Sequence, residues 1–443
     1  MKIQLSDHFD YKKLMRFTLP SIVMMIFTSI YSVVDGFFVS TVVGKTPFAA
    51  VNFVMPILMI LGAVGFMLGT GGSALIARIM GEGDNERANR LFSLLVLVGA
   101  VLGVVIGIVG FVTVSPLCAL FGAEGEMLEN CVLYGRIILL GLPFYMLQFE
   151  FQSFFVTAEK PHVGLAATVA SGVTNMVLDA LFVAAFSWGL VGAAVATVIS
   201  QMVGAVIALV YFARPNSSRL RFTRPRMDGR ALLRTCTNGS SELMSNISMS
   251  VVGMLYNIQL MKYAGEDGVA AYGVLMYINM IFLAVFIGYA VGVAPVVSYH
   301  FGAQNTDELK SLFRRSFLII GCASVCMFAA GEALSYPLSA LFVGYDEALL
   351  NMTVHAFRIY SFSFLLCGIS IFGSSFFTAL NDGLTSALIS FLRTLLFQTV
   401  AVMVMPLIWE LDGIWYSITA AEVMSVIVTA AFLFAYRKKY HYF

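Results

Sequence analysis

The sequence predicts an all-α integral membrane protein with twelve transmembrane helices. These helices form two six-helix lobes, which are related by a parallel (pseudo-twofold) repeat. Three observations predict it: the composition, the spacing of the apolar runs and an internal duplication. Of the 443 residues, 59% are hydrophobic and 12% are charged, whereas about 25% of an average soluble domain is charged. The mean hydropathy of +0.88 also indicates a chain that lies mostly in lipid.

Apolar runs of about 20 residues or more, the length that crosses a bilayer, recur along the whole chain. Six precede and six follow a polar, arginine-rich stretch at 213–234. We therefore predict an N-terminal lobe over 1–212, a cytoplasmic basic linker over 213–234 and a C-terminal lobe over 235–443. The runs are 17–43, 48–79, 92–115, 130–158, 162–186, 189–212, 236–262, 269–300, 316–336, 350–379, 385–407 and 413–436.

The distribution of Lys and Arg predicts the orientation, because positive charge accumulates in cytoplasmic segments. With the N-terminus inside, 21 of the 26 basic residues fall in inner segments, and the outer loops hold only Lys45 and Lys262. We expect both termini in the cytoplasm of a multi-pass protein of the cell (inner or plasma) membrane. The inside location explains the basic linker, and the net charge of +1 gives no sign of a nucleic-acid partner.

An internal duplication relates the two halves of the chain. The segment Gly81–Phe92 matches Gly302–Phe313, and Gly192 matches Gly413 at the same spacing, which we call the repeat offset. Because six spans per copy is an even number, both copies insert the same way up. The symmetry axis then runs along the membrane normal, and the cleft between the lobes is the expected substrate path.

Two aspartates within apolar runs are the strongest functional signal. Asp35 lies in the first run and Asp179 in the fifth, and a charge at such depth costs roughly 3 kcal/mol or more and usually marks an ion or proton pathway. Asn175 shares a helix face with Asp179. Asp35, Asp179 and Thr197 all lie about 10–12 Å below the outer ends of their spans. These oxygen atoms suit either Na⁺ or a proton, and the sequence leaves both open.

Four further residues are candidate gating or secondary groups. Pro20 removes a hydrogen bond from the first span and gives it a flexing point. Glu150 and Gln152 lie towards the cytoplasmic end of the fourth span and are interpreted as packing or gating groups. Glu242 lies near the start of the seventh span and is the one acid of the second lobe that could couple a second ion.

A flexible apolar wall is expected along the cleft, since thioethers repack around varied ligands. Its candidate residues lie on helices that border the cleft: Met24, Met25, Tyr31, Tyr277 and Met280. We find no paired-cysteine or His-Glu-x-x-His motif and no nucleophile–base constellation. An enzyme is therefore not expected.

Several motifs together resemble the multidrug and toxic compound extrusion (MATE) transporters. Leu19-Pro20 and Val34–Val39 look like the first helix of that family. Asn175–Asp179 resembles the Asn-x-x-x-Asp pattern of the fifth helix in the DinF-like and MepA-like branch, and Gly192–Thr197 resembles its sixth helix.

The resemblance implies a V-shaped pair of lobes and a proton- or sodium-coupled exporter that needs no cofactor or ATP. It also implies that Asp35, Asn175, Asp179 and Thr197 form the cation site of the N-terminal lobe. Glu242 resembles the seventh-helix acid of other branches only loosely.

We therefore expect an antiporter that exports hydrophobic, often cationic drugs or metabolites in exchange for inward H⁺ or Na⁺, and that works as a monomer in the lipid bilayer. A flippase for lipid-linked precursors is an alternative within the same superfamily, and an ion channel is one from a different class. Coupling should involve the first lobe alone, because the second copy has a neutral residue at the repeat counterpart of each cation-binding group. The counterparts are Tyr256, Leu396, Val400 and Ile418.

Overall fold

The structure is a computed structural model that describes residues 3–43 and 45–443. Throughout these residues the regular elements are helices, and short π-helical segments extend three of them, at Val39–Val43, Ala180–Ala185 and Leu392–Phe397. The first lobe contains α1 Tyr11–Phe38, α2 Lys45–Gly81, α3 Asn85–Leu120, α4 Gly125–Leu140, α5 Leu142–Thr157, α6 Pro161–Asp179 and α7 Gly189–Ala213. The second contains α8 Gly229–Gly302, α9 Thr306–Val343, α10 Glu347–Ser361, α11 Phe364–Ala379, α12 Gly383–Phe391, α13 Gln398–Val404 and α14 Pro406–Tyr440.

The predicted twelve spans fit these helices. Within the described residues, nine helices are long and apolar enough to cross a membrane, and the bent pairs α4–α5 and α10–α11 add one span each. The long helix α8 has non-helical backbone at Gly265, which divides it into the seventh and eighth spans. It begins at Gly229, inside the predicted linker 213–234, because Asp228 caps it by accepting a hydrogen bond from the Ala231 amide.

The duplication is visible in the local geometry of the helices. Asp84 caps α3 and its repeat counterpart Asn305 caps α9, and each side chain accepts a hydrogen bond from an amide in the first turn. The fourth span bends by 55° around Gly141, and the tenth bends by 49° around Phe362, which is the repeat counterpart of Gly141. Equivalent positions in the two lobes therefore cap and bend their helices in the same way.

Small residues bring the lobes into contact at one end of the bundle, which we call the closed end. A Cβ atom added to Gly239 of α8 would clash with the backbone of Met67 on α2. The hydroxyl of Ser298 on α8 donates a 2.7 Å hydrogen bond to the Ala74 carbonyl of α2. Backbones that approach this closely admit neither water nor a larger side chain between the lobes.

The segment 3–10 lies across the closed end and contacts both lobes. The Leu5 amide donates a 2.8 Å hydrogen bond to Glu159, between α5 and α6, and the Phe9 amide donates a 2.9 Å hydrogen bond to Glu308 in the first turn of α9. Burial raises the pKa of the Glu159 carboxyl, an effect that the Leu5 amide opposes. The side chains of Leu5 and Phe9 are fully buried. This segment therefore ties the two lobes together.

We expect Gly239→Ala to lower the thermal unfolding midpoint of the purified protein by several degrees, since overpacking costs about 1–3 kcal/mol. The matched control is Gly273→Ala in the same helix, where an added Cβ meets nothing within 4 Å. That control should unfold at or above the wild-type midpoint, because alanine favours a helix. Equal midpoints for the two variants would contradict a tight contact between α2 and α8.

Candidate functional site

The two intramembrane aspartates lie side by side in the first lobe. Asp35 on α1 and Asp179 at the end of α6 direct their carboxyl groups towards each other. Asp179 is fully buried, and Asn175, one turn earlier, is 2% exposed. We call Asp35 and Asp179 the acidic pair. Packing of α6 against both α1 and α7 also brings Thr197 to this region.

The acidic pair lacks the hydrogen bonds that buried carboxylates normally make. Oδ1 of Asp35, both carboxyl oxygens of Asp179 and the Asn175 amide nitrogen have no hydrogen-bond partner among the described residues. An isolated buried charge is very costly unless it is neutralised. A proton or a small hard cation would satisfy these oxygen atoms, so the chemistry of the site fits cation binding.

Both members of the acidic pair lie just before a π-helical segment. Asp179 is the last residue of α6 and directly precedes the π-helical segment Ala180–Ala185, and Asp35 lies one turn before Val39–Val43. A π-helical turn adds a residue to the helix and shifts the face that later side chains occupy, and such turns are frequent at functional sites.

Tyr134 of α4 belongs to the same site and was not predicted. Its side chain is 1% exposed, its hydroxyl approaches Thr197, and both members of the acidic pair are near enough to act on it electrostatically. No spacing in the apolar fourth run singles this residue out. Tyr31, one turn before Asp35, and Tyr277 on α8 also lie near the Asp35 carboxyl.

The candidate gating residues of the fourth span lie elsewhere. Glu150 is fully buried and faces Gly99 of α3, and both of its carboxyl oxygens lack a partner within the described residues. Gln152 donates a 3.4 Å hydrogen bond to Thr168 of α6. Neither side chain joins the acidic pair.

The residues expected along the cleft on α1 are packed against neighbouring helices in this conformation. Met24 and Met25 are buried with Ala284 of α8. The Met280 carbonyl accepts a 3.2 Å hydrogen bond from Ser29 of α1. Pro20 is buried inside α1, which stays helical across it.

A cavity of ≈ 210 Å³ lies mainly within the second lobe, and we call it the C-lobe cavity. Glu242 is among its lining residues, as are Tyr256 and Ile418, the repeat counterparts of Asp35 and Thr197. Many of the other lining residues are serines and threonines. The two copies therefore place a polar cavity and an acidic pair in related positions.

A buried ion pair lines the C-lobe cavity. Arg393 Nη2 lies 2.8 Å from Glu422 Oε1, and Arg393 Nε donates hydrogen bonds of 3.0 and 3.1 Å to the two Glu422 oxygens. The Arg393 side chain is 15% exposed and that of Glu422 is 2% exposed. Sequence reasoning missed this pair. The available signal was one charge of each sign in the last two apolar runs, 385–407 and 413–436.

The chain is similar to known transporters over nearly its whole length. A family model described as MatE matches residues 20–181 and 243–404, once in each lobe. The multidrug export protein MepA of Staphylococcus aureus is 25% identical over 429 residues, covering 96% of this chain and 93% of that protein. MepA of Staphylococcus saprophyticus is 26% identical over 432 residues, with the same coverage of each chain.

Solved structures show the same fold. An outward-facing multidrug resistance MATE family transporter of the MOP superfamily superposes with a TM-score of 0.92 at 24% identity, covering 99% of both chains. A MOP superfamily transporter from Pyrococcus furiosus, described as having a binding pocket of reverse polarity that suggests a different function, gives a TM-score of 0.89 at 25% identity. It covers 96% of this chain and 95% of its own.

Replacing one member of the Arg393–Glu422 pair should destabilise the protein more than replacing both. Removing a single partner leaves an uncompensated buried charge, which costs about 3–5 kcal/mol. We expect Arg393→Gln and Glu422→Gln each to lower the thermal unfolding midpoint markedly, and the double variant to recover most of the loss. Losses that simply add in the double variant would show that the two side chains do not stabilise each other.

Proposed function

The chain belongs to the MATE family of multidrug transporters, and we propose that it exports hydrophobic, often cationic small molecules across the cell membrane in exchange for inward H⁺ or Na⁺. It is a multi-pass membrane transporter and not an enzyme. The observation that carries the exchange is the acidic pair, in which both oxygens of the buried Asp179 and Oδ1 of Asp35 lack partners within the described residues. The relatives named as multidrug export proteins support drug efflux.

The coupling mechanism follows from the position of α1. Two carboxylates cannot both stay charged in a small buried site, so they share one proton or one Na⁺. The helix that carries Asp35 also contacts α8 of the other lobe, through the hydrogen bond from Ser29 to Met280. A change of charge on Asp35 therefore acts directly on a helix that holds the lobes together.

The closed end faces the cytoplasm in this proposal, which makes the conformation outward-facing. Two groups of basic residues support that orientation, since cytoplasmic segments accumulate positive charge. The first group, Arg87, Arg90, Arg226 and Arg230, lines a cavity between the start of α3 and the linker. The second group lies in the first turns of α9: Lys310 and Arg314 line a cavity with Tyr442 of the C-terminus, and Arg315 donates a hydrogen bond to the Phe9 carbonyl of the N-terminal segment.

The remaining parts of the proposal concern organisation and partners. The chain acts as a monomer in the bilayer, with a first lobe over 1–212, a linker over 213–234 and a second lobe over 235–443. Its ligands are small molecules and the coupling ion, without nucleic acid or an added cofactor. Glu242 lines the C-lobe cavity, and it serves the substrate and not a second ion.

We expect Asp35→Asn and Asp179→Asn each to abolish gradient-driven dye efflux from proteoliposomes, because an amide neither binds nor releases the coupling ion. Imposing a pH gradient and a sodium gradient separately identifies that ion. Asp412→Asn is the matched control, because Asp412 is an exposed acid that contacts His355. Wild-type pumping by either acidic-pair variant would contradict the shared site.

Tyr134→Phe should reduce the rate of efflux several-fold and leave the amount of folded protein unchanged, because it removes only the hydroxyl near Thr197 and the acidic pair. Tyr211→Phe provides the comparison, since Tyr211 packs near the end of α7 against Phe155 and Phe212. If both variants slow efflux equally, the Tyr134 hydroxyl has no specific role at the cation site.

A further inference from the structure

We propose that a groove on the outside of the second lobe binds one anionic phospholipid, with the headgroup phosphate at Lys310 and Arg314 and an acyl chain along the groove. The groove lies between α9 and α14 and has a volume of ≈ 580 Å³. We call it the α9–α14 groove. It shares no lining residue with the C-lobe cavity and contains no member of the acidic pair.

Three helices of the second lobe form the α9–α14 groove. Helices α9 and α14 both pack against α11, and Ile369 of α11 lines the groove together with Phe317 of α9 and Leu433 of α14. Phe313 and Tyr442 also line it, with ring centroids 5.0 Å apart. The Tyr442 hydroxyl is engaged within the protein, since it donates a 2.7 Å hydrogen bond to the Leu433 carbonyl. The interior of the groove therefore suits hydrocarbon.

The groove is open towards the lipid. Phe434, which lines it on α14, is 55% exposed, and so is Leu318 of α9. Along α9 the exposed positions run at helical spacing from Lys310 and Arg314 to Leu318 and Val325, so they share one face. This face is basic at one end and apolar beyond it, which matches the order of headgroup and acyl chain in a phospholipid.

The depth of the groove corresponds to one leaflet of the bilayer. Phe317 lies two helical turns, about 10 Å, beyond Lys310 along α9. Ile369 lies nearly three turns, about 15 Å, from the end of α11 at Ala379, whose carbonyl accepts a 2.6 Å hydrogen bond from Ser298 at the closed end. Half of a hydrocarbon core is also about 15 Å thick. In the orientation proposed above, this leaflet is the cytoplasmic one.

The basic end of the groove attracts an anion. Lys310 and Arg314 lie one turn apart on α9 and are exposed, and neither makes a salt bridge within the described part of the chain. Arg437, in the last turn of α14, adds a third positive charge. Its guanidinium carbon lies 5.8 Å from the centre of the Phe434 ring, which lines the groove.

Neighbouring acids leave this end of the groove positive. Glu308 accepts the hydrogen bond from the Phe9 amide, and Asp382 lies 3.6 Å from Lys439. Asp307 belongs to the first turn of α9, where a negative charge complements the helix dipole. Three cations against this one acid leave a net positive charge, which a phosphate group would balance.

An anionic phospholipid satisfies both parts of the groove. Its phosphate accepts charge-assisted hydrogen bonds from Lys and Arg, and its acyl chain covers the apolar lining. Basic pockets between membrane-spanning helices on the cytoplasmic side bind phospholipid headgroups. A zwitterionic headgroup adds an ammonium group that the cations repel, so phosphatidylglycerol should bind more tightly than phosphatidylethanolamine. A soluble phosphate ester has no acyl chain and leaves the groove uncovered.

Ordinary topological charge is the competing explanation, because cytoplasmic segments accumulate Lys and Arg wherever they lie. It predicts that any exposed basic pair at the closed end contributes equally to lipid binding. Lys12 and Arg16 provide that comparison. They are exposed, have the same spacing in the first turns of α1 and do not line the groove.

The test is native mass spectrometry of the full chain, delipidated in detergent and titrated with phosphatidylglycerol or phosphatidylethanolamine that carry the same acyl chains. The wild type should bind its first phosphatidylglycerol at least about tenfold more tightly than its first phosphatidylethanolamine, since each nearby cation adds to the attraction. Lys310→Gln/Arg314→Gln should remove this preference, whereas Lys12→Gln/Arg16→Gln should keep it. The unfolding midpoints of both double variants are measured first and should equal that of the wild type, because the replaced side chains are exposed.

A second pair of variants tests the apolar part of the groove. Ala430→Phe places a ring among the lining residues and should weaken the binding of phosphatidylglycerol several-fold. Ala431→Phe, at the same depth but exposed and outside the groove, should leave it unchanged. Glycerophosphoglycerol, which is the same headgroup without acyl chains, should bind the wild type far more weakly than the lipid does, and this result distinguishes a lipid from a soluble phosphate ester.

Three results would overturn the inference. Equal affinity of the wild type for the two lipids, or an equal loss of preference in the two double variants, leaves only general cytoplasmic charge. Unchanged phosphatidylglycerol binding by Ala430→Phe places the acyl chain elsewhere on the protein. A dimer that Ala430→Phe abolishes would show that a second copy of the chain occupies the groove. None of these measurements depends on transport, so a failure here leaves the proposed export function untouched.

Discussion

Charged groups inside a membrane protein must find their partners within the protein, and this constraint governs both lobes. Among the described residues, the acidic pair of the first lobe makes no salt bridge, and three of its four oxygens lack hydrogen-bond partners. In the second lobe Glu422 is neutralised by Arg393. In the proposed mechanism a mobile cation completes the first site, whereas the ion pair of the second lobe is already balanced in charge.

The two halves of the chain share a backbone design and differ in chemistry. Helix caps and bends recur at the repeat offset, at Asp84 and Asn305 and at Gly141 and Phe362. At the position of Asp35, however, the second copy has Tyr256, which hydrogen-bonds Ser417 and lines a cavity. The two copies thus share the positions of helix caps and bends, while the polar side chains between those positions differ.

The sequence predicted the features that depend on local composition. The twelve spans, the repeat and the two lobes are confirmed, because apolar runs and their spacing determine them directly. The ends of the helices were harder to predict. Helix α8 begins at Gly229 and not near 236. Its first turns carry Arg230 and Arg234, so they are too polar for a hydropathy pattern to detect. An aspartate followed by a polar first turn was the available signal.

Contacts between different helices were the least predictable part of the site. Asp35 and Asp179 could be paired because both interrupt apolar runs at a similar depth. Tyr134, and the pairing of Arg393 with Glu422, depend on how each helix is rotated about its axis, and the π-helical segment Leu392–Phe397 changes that rotation within a span. The α-helical period of 3.6 residues per turn is interrupted in such a segment. A sequence pattern therefore does not predict which side chain faces the neighbouring helix.

The segment that crosses the closed end has a consequence for the resting population of the transporter. Separating the lobes there exposes Leu5 and Phe9, at about 1.5–3 kcal/mol for each side chain, and it breaks their amide contacts with Glu159 and Glu308. Leu5 and Phe9 do not line the C-lobe cavity and are not part of the acidic pair. In the proposed exchange mechanism, their burial sets a free-energy cost of separating the lobes that ligand and ion binding must offset together, which favours exchange over leakage.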